Sequence, residues 1–260
     1  MVGEMKRTLL YAALVSLLLS SCDRGDEALV ETQQYNQRSS GSLSLGRVNS
    51  IVVQNQMGPV IIEGSPDTSV IGCFMDKTVS AESQEEADQV FSEMVTGLQT
   101  NGDTAYVSVQ VPTGSVSTSS LLSLTLPDRI PCILRKVSGT TDVAYLQTSF
   151  VGENVAATTI RAHEGNCVLN GSSGDVSIQI SLPDSGLCRV NYDSGNISVG
   201  IPTSTSSLLS AQTGAGTILY SGIVINDLQS TSHSLTGRMG SGRGRIQLIT
   251  GKGNIGITGY

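Results

Sequence analysis

The chain has no tryptophan, three phenylalanines and two histidines in 260 residues, and only 14% of it is charged. So few titratable groups leave little for acid–base chemistry. His163 and His233 lie in Ser/Thr or Glu surroundings, outside any metal-binding or nucleophile motif. The segment "GSGRGRI" lacks the ending of a phosphate-binding loop and does not lead into a helix pattern. The net charge of −7 is too small for a disordered polyanion, and an acidic chain has no general attraction for nucleic acid. No apolar run is long enough for a comfortable membrane span. No metal or other cofactor is expected, and the chain reads as a non-enzyme.

The residues present are Val, Ile, Leu and Ala in short runs, with 29 glycines. That composition fits many short strands joined by small-residue turns. The start is different. Lys6 and Arg7 precede the apolar run "LLYAALVSLLL", and Leu19-Ser20-Ser21-Cys22 follows. This resembles the lipobox of bacterial lipoproteins. It implies a signal peptide over residues 1–21, cleavage before Cys22 and acylation of that cysteine. Several acyl chains hold a protein on a membrane where one alone is marginal. The implied address is the bacterial cell envelope, with the leaflet left open. Residues 22–46 are polar and read as a tether. They include Arg24-Gly25-Asp26, a tripeptide short enough to arise by chance. Cys73, Cys132, Cys167 and Cys188 have apolar neighbours and no zinc spacing. Buried free thiols and a single bridge both fit them.

The main domain is expected over residues 47–260. "RVNSIVVQN", "GPVIIEG" and "TSVIGCFM" read as strands. Ala87, Val90, Phe91, Met94, Val95 and Leu98 recur at three- and four-residue steps, behind a capping box from Ser83 to Glu86. This spacing predicts one amphipathic helix near residues 80–98. Beyond it the chain repeats. Pro127, Pro183 and Pro202 each open a segment that reaches a glycine twelve residues later. In that frame Cys132 matches Cys188, and Leu134, Val190 and Leu209 match one another. Gly174, Gly195, Gly216 and Gly237 are 21 residues apart. Units too small to bury an apolar face alone gain a core by stacking. The expected fold is therefore all-β, a right-handed single-stranded parallel β-helix. Ile178, Ile197 and Ile218 should face inward, one above the other. The last 19 residues should be its final rungs, uncapped at Tyr260. Asp175 follows a corner glycine in "NGSSGDVSI", similar to a calcium-binding repeat, but Asn196, Thr217 and Asn254 replace it in the equivalent strands. Structural calcium is not expected.

The order of these features resembles the bacterial putative-adhesin β-helix domain family, whose function is uncharacterised. The segments are "NQMGPVIIEG", "SVIGCFMDKTVSAESQEEADQVF", "LTLPDRIPCILRKVSGTTDVAYL" and "GRIQLITGKGNIGIT". The resemblance implies a β-helical envelope protein. One charge feature stands apart: Arg238, Arg243, Arg245 and Lys252 cluster near the end of an acidic chain, where they could meet an anionic envelope polymer. The expected role is a lipid-anchored, non-catalytic interaction or scaffold module, adhesin-like, with the membrane and an envelope polysaccharide or protein as partners. A carbohydrate-active enzyme and an envelope-stress sensor that binds a membrane regulator are the alternatives.

Overall fold

A computed structural model describes residues 32–55, 58–111 and 117–260. The chain forms strands β1 (Gln33–Ser44), β2 (Ser50–Gln54), β3 (Val60–Ser65) and β4 (Val70–Ala81), then helix α1 (Gln84–Glu93). Strands β5 (Val95–Asn101), β6 (Thr104–Gln110), β7 (Ser117–Pro127), β8 (Cys132–Val137), β9 (Thr141–Ala144), β10 (Phe150–Val155) and β11 (Thr158–Glu164) follow. The remainder is β12 (Cys167–Ser173), β13 (Val176–Ser181), β14 (Leu187–Ser194), β15 (Ile197–Ile201), β16 (Ser207–Ala215), β17 (Ile218–Ser221), β18 (Asn226–Ser230), β19 (Ser234–Met239), β20 (Gly244–Lys252) and β21 (Ile255–Gly259).

These strands build two mainly parallel sheets around one core. The first runs β1-β4-β7-β3-β9-β11-β13-β15-β21-β17, the second β18-β19-β16-β20-β14-β12-β10-β8-β2-β6-β5. From β7 to β18 consecutive strands alternate between the sheets, so the chain lays down two-strand rungs. In space the rungs follow β6/β7, β2/β3, β8/β9, β10/β11, β12/β13, β14/β15, β20/β21 and β16/β17. At the N-terminal end the chain adds β6/β7 outside β2/β3 and then continues with β8/β9 on the other side; at the C-terminal end it steps out one rung too far to β16/β17, and β20/β21 returns to fill the gap. Antiparallel strands flank the stack, in both sheets at one end and in the second sheet at the other: β1 and β4 beside β7, β5 beside β6, and β18 and β19 beside β16.

Inward side chains form columns across the rungs. Ile51, Cys132, Phe150, Cys167, Cys188, Ile246 and Leu209 are successive neighbours in one sheet. Val176, Ile197, Ile255 and Ile218 are successive neighbours in the other. Each buried aliphatic side chain contributes about 1.5–3 kcal/mol. The order of the columns departs from the sequence expectation. Val176, not Ile178, stacks on Ile197, and Ile255 separates Ile197 from Ile218. The twelve-residue frame also slips: Leu209 falls in the Cys188 column, while Val190 aligns with Leu248 and Ala211. The strand ending at Gly259 is an interior rung, and β17 is the open edge, with Leu219 68% exposed.

The corner glycines explain how rungs approach so closely. Gly174, Gly195, Gly253 and Gly216 take φ values of 127–147°. A Cβ on Gly195 would lie 2.1 Å from the Gly174 carbonyl oxygen, and one on Gly253 2.1 Å from that of Gly195. The next residues form a ladder. Asn196 N–H donates to Asp175 Oδ1 at 2.8 Å, Asn254 N–H to Asn196 Oδ1 at 2.9 Å, and Thr217 N–H to Asn254 Oδ1 at 2.9 Å. Each short side chain accepts the corner amide of the rung above it. That is the role of Asp175.

Two expectations about the N-terminal part are corrected. Residues 33–44, read as tether, are strand β1, paired along its length with β4. Both faces of β1 are largely exposed, so it carries no apolar alternation to reveal it. The helix is shorter than residues 80–98. Ser83 caps it by accepting the Glu86 amide at 3.2 Å, and the Glu86 carboxylate accepts from Glu82 N–H at 2.9 Å. It ends at Met94, because Val95, Thr96, Gly97 and Thr100 are poor helix formers and pair with β6 instead. Ala87, Phe91 and Met94 pack on Val79 and Ala81 in a second small core.

Candidate functional site

The strand pattern sets what each sheet shows to solvent. On the first sheet Ser177, Ser198, Gly256 and Leu219 form one outward column of mostly small side chains. The second sheet is richer. Asn170, Arg189, Asn191, Ser210, Gln212 and Thr236 are exposed on β12, β14, β16 and β19, over the part of the stack where β20 is inserted. These amides and hydroxyls form an exposed hydrogen-bonding surface.

Three of the four cations singled out in the sequence meet here. Arg238 and Arg245 flank Leu208 in register from β19 and β20, and Leu208 is 46% exposed between them. Arg243 joins them in the preceding turn. Lys252 does not: it lies at the far end of β20, seven residues along. Two of the three arginines are paired. Arg238 contacts Asp227 at 2.9 Å and Arg243 contacts Asp184 at 2.7 Å. Exposed pairs of this kind contribute little to stability, but they cancel charge locally. Among the described residues Arg245 has no carboxylate partner. Arg189, which the sequence reading passed over, sits one strand away and two residues along. Its Nε donates to Gln247 Oε1 at 3.0 Å, which leaves the rest of the guanidinium open. The uncompensated positive charge on this face is therefore Arg189 and Arg245.

The histidines and the described cysteines lie elsewhere. His163 is buried despite its polar sequence neighbours. A bulge with Ala162 at φ 47° shifts the β11 register between Ile160 and His163 and turns the imidazole inward beside Ile180. Its Nε2 donates to the Asn166 carbonyl at 3.0 Å, and burial lowers its pKa. His233 lies in the exposed β18–β19 turn, with Nδ1 2.7 Å from Ser232 Oγ. The four described cysteines are buried free thiols. Burial pushes Cys73 up to about 11 and Cys132 up to about 12, so neither is a ready thiolate. Among the described residues no three His, Cys, Asp or Glu converge on a metal position, and no helix is long and apolar enough to cross a membrane. Cys22 and residues 1–31 lie outside the described residues.

No family model and no curated protein matches the chain. It is similar to solved structures of bacterial proteins. A putative cell adhesion protein from Clostridium sporogenes shares 12% identity with a TM-score of 0.45, over 88% of this chain and 100% of that one. A putative adhesin from Bacteroides fragilis shares 10% with a TM-score of 0.33, over 86% and 97%. A putative adhesin from Parabacteroides merdae shares 8% with a TM-score of 0.28, over 86% and 96%. These names agree with the family that the sequence resembles.

Proposed function

We propose that the chain is a lipid-anchored, non-catalytic interaction module of the bacterial cell envelope. Its two-sheet stack is read as a right-handed parallel β-helix that presents the outer face of the second sheet to an anionic envelope polymer. The observation that carries this reading is the composition of that face. Amides and hydroxyls suit the hydroxyls of a glycan, and Arg189 and Arg245 suit its carboxylates. Two depressions flank Leu208 on that face, one lined by Thr236 and Arg238 and the other by Ser210, Arg245 and Gln247, and they could seat successive residues of such a chain. The overall charge of −7 opposes long-range attraction of a polyanion. Contact on this face is therefore short-range, inside a Debye length of about 8 Å at physiological salt.

The anchor rests on the lipobox-like Leu19-Ser20-Ser21-Cys22. Cys22→Ser should leave an unprocessed precursor that takes up no labelled fatty acid, and normal labelling of that variant contradicts the anchor. The non-catalytic role is tested in the same preparation. Acidic envelope polysaccharides incubated with the full chain should be retained without release of new reducing or unsaturated ends. Release abolished by one Asp or Glu substitution would establish an enzyme instead.

A further inference from the structure

The buried row of β4 is Ile71, Cys73, Met75, Lys77, Val79 and Ala81: one ammonium in a line of apolar side chains. Lys77 is 7% exposed. Its Nζ donates to the Phe91 carbonyl at 3.0 Å and to Gln37 Oε1 at 3.4 Å. An ammonium has three hydrogens, so one remains. Among the described residues no carboxylate forms an ion pair with it. Buried charges are ordinarily paired, because removing an ammonium from water is costly. Here burial lowers the Lys77 pKa and the protein supplies only neutral acceptors.

Lys77 stands on the wall of a cavity of about 590 Å³ framed by β1, β4, α1 and β5. That volume falls in the range of roughly 300–1,000 Å³ typical of small-molecule sites. Gln37 and Ser39 give one side of the wall polar character, and Phe91, Met94 and Leu98 make another side apolar. Asp88 also lines the cavity, exposed, and accepts from the Gln84 amide at 2.7 Å.

We propose that this cavity binds a small monocarboxylate with an apolar body. The carboxylate takes the remaining Lys77 hydrogen, and the body lies against Phe91, Met94 and Leu98. One ammonium matches one negative charge. Asp88 disfavours a second, so phosphate and dicarboxylates are poor ligands. The cavity lies at the β1 end of the stack and shares no residue with the arginine face, so the two readings stand independently.

Equilibrium dialysis of radiolabelled hexanoate against the full chain tests this, with hexan-1-ol and inorganic phosphate as competitors. Saturable binding is expected, with hexanoate at least about tenfold tighter than either competitor. Lys77→Met removes the charge and should weaken binding by about tenfold or more. Ser92→Trp places a large ring at an exposed position on the cavity wall and should block the site while leaving the melting temperature unchanged. Should Lys77→Met not fold, Ser92→Trp and the competitors decide. The proposal is overturned if wild-type protein binds no hexanoate, if the alcohol or phosphate competes equally well, or if Lys77→Met or Ser92→Trp binds as tightly as the wild-type chain.

Discussion

Ile197 shows what a single residue carries in a stacked fold. It is 1% exposed and lies between Val176 and Ile255, with apolar neighbours on both sides along the sheet. Ile197→Asp would strand a carboxylate there without a partner. The expected cost is roughly 4 kcal/mol or more, which would lower the melting temperature by on the order of 10 °C. A wild-type melting temperature would place this side chain in solvent. His163 gives a pH signature. Its folded-state pKa is depressed by burial, so below the unfolded value of roughly 6.5 the unfolded chain binds a proton that the folded chain refuses. Stability is therefore full above that value and falls as pH drops toward the folded pKa. Asp76, whose pKa Arg38 lowers by hydrogen bonding, loses its contribution only below the usual carboxylate range. The two windows are separate. Thermal melts from pH 7 to pH 5 should decline in wild-type protein and flatten in His163→Gln, and equal slopes would contradict the assignment.

At the level of the element, the strands were legible and their order was not. Alternation in "GDVSIQI" and "GNISVGI" marks which residues turn inward. It does not say which rung sits on which, because every glycine rung offers the same corner and the same aliphatic columns. Asn254 accepts a corner amide as well as Asn196 does, so nothing local forbids placing β20 and β21 between rungs laid down earlier. Strand β1 is hidden in the sequence because it is exposed on both faces, and the helix reads too long because Val95 and Leu98, which belong to β5, fit its period by chance. Inserting the last rung has a measurable consequence. Strand β20 pairs β14 on one side and β16 on the other. Removing residues 244–260 should leave β16 to β19 attached to the stack only through their loop. Hydrogen exchange of the truncated chain should show β16–β19 unprotected while β8–β13 remain protected. Continued protection of β16–β19 would mean that β16 can close directly on β14, against the observed register.

For the molecule as a whole, the arginines were visible as residues but not as charges. Arg243 is cancelled by Asp184, 59 positions away, and Arg238 by Asp227, and no spacing announces either pair. Arg189 was missed because it stands alone in sequence and joins Arg245 only through the inserted rung. Lys77 could have been found, since it falls on the inward phase of "VIGCFMDKTVSA". The alternation that marks strand β4 also marks the lysine as buried. Among the described residues the molecule offers a two-sheet scaffold with one open edge at β17, a polar arginine face and a cavity beside Lys77. Binding of an acidic envelope polysaccharide to the double variant Arg189→Gln/Arg245→Gln tests the central claim most directly, measured across salt concentration beside the wild-type chain. The variant should bind at least about tenfold more weakly at low salt and lose most of the salt dependence. Equal affinity and an equal salt slope would show that this face is not where the protein meets its partner.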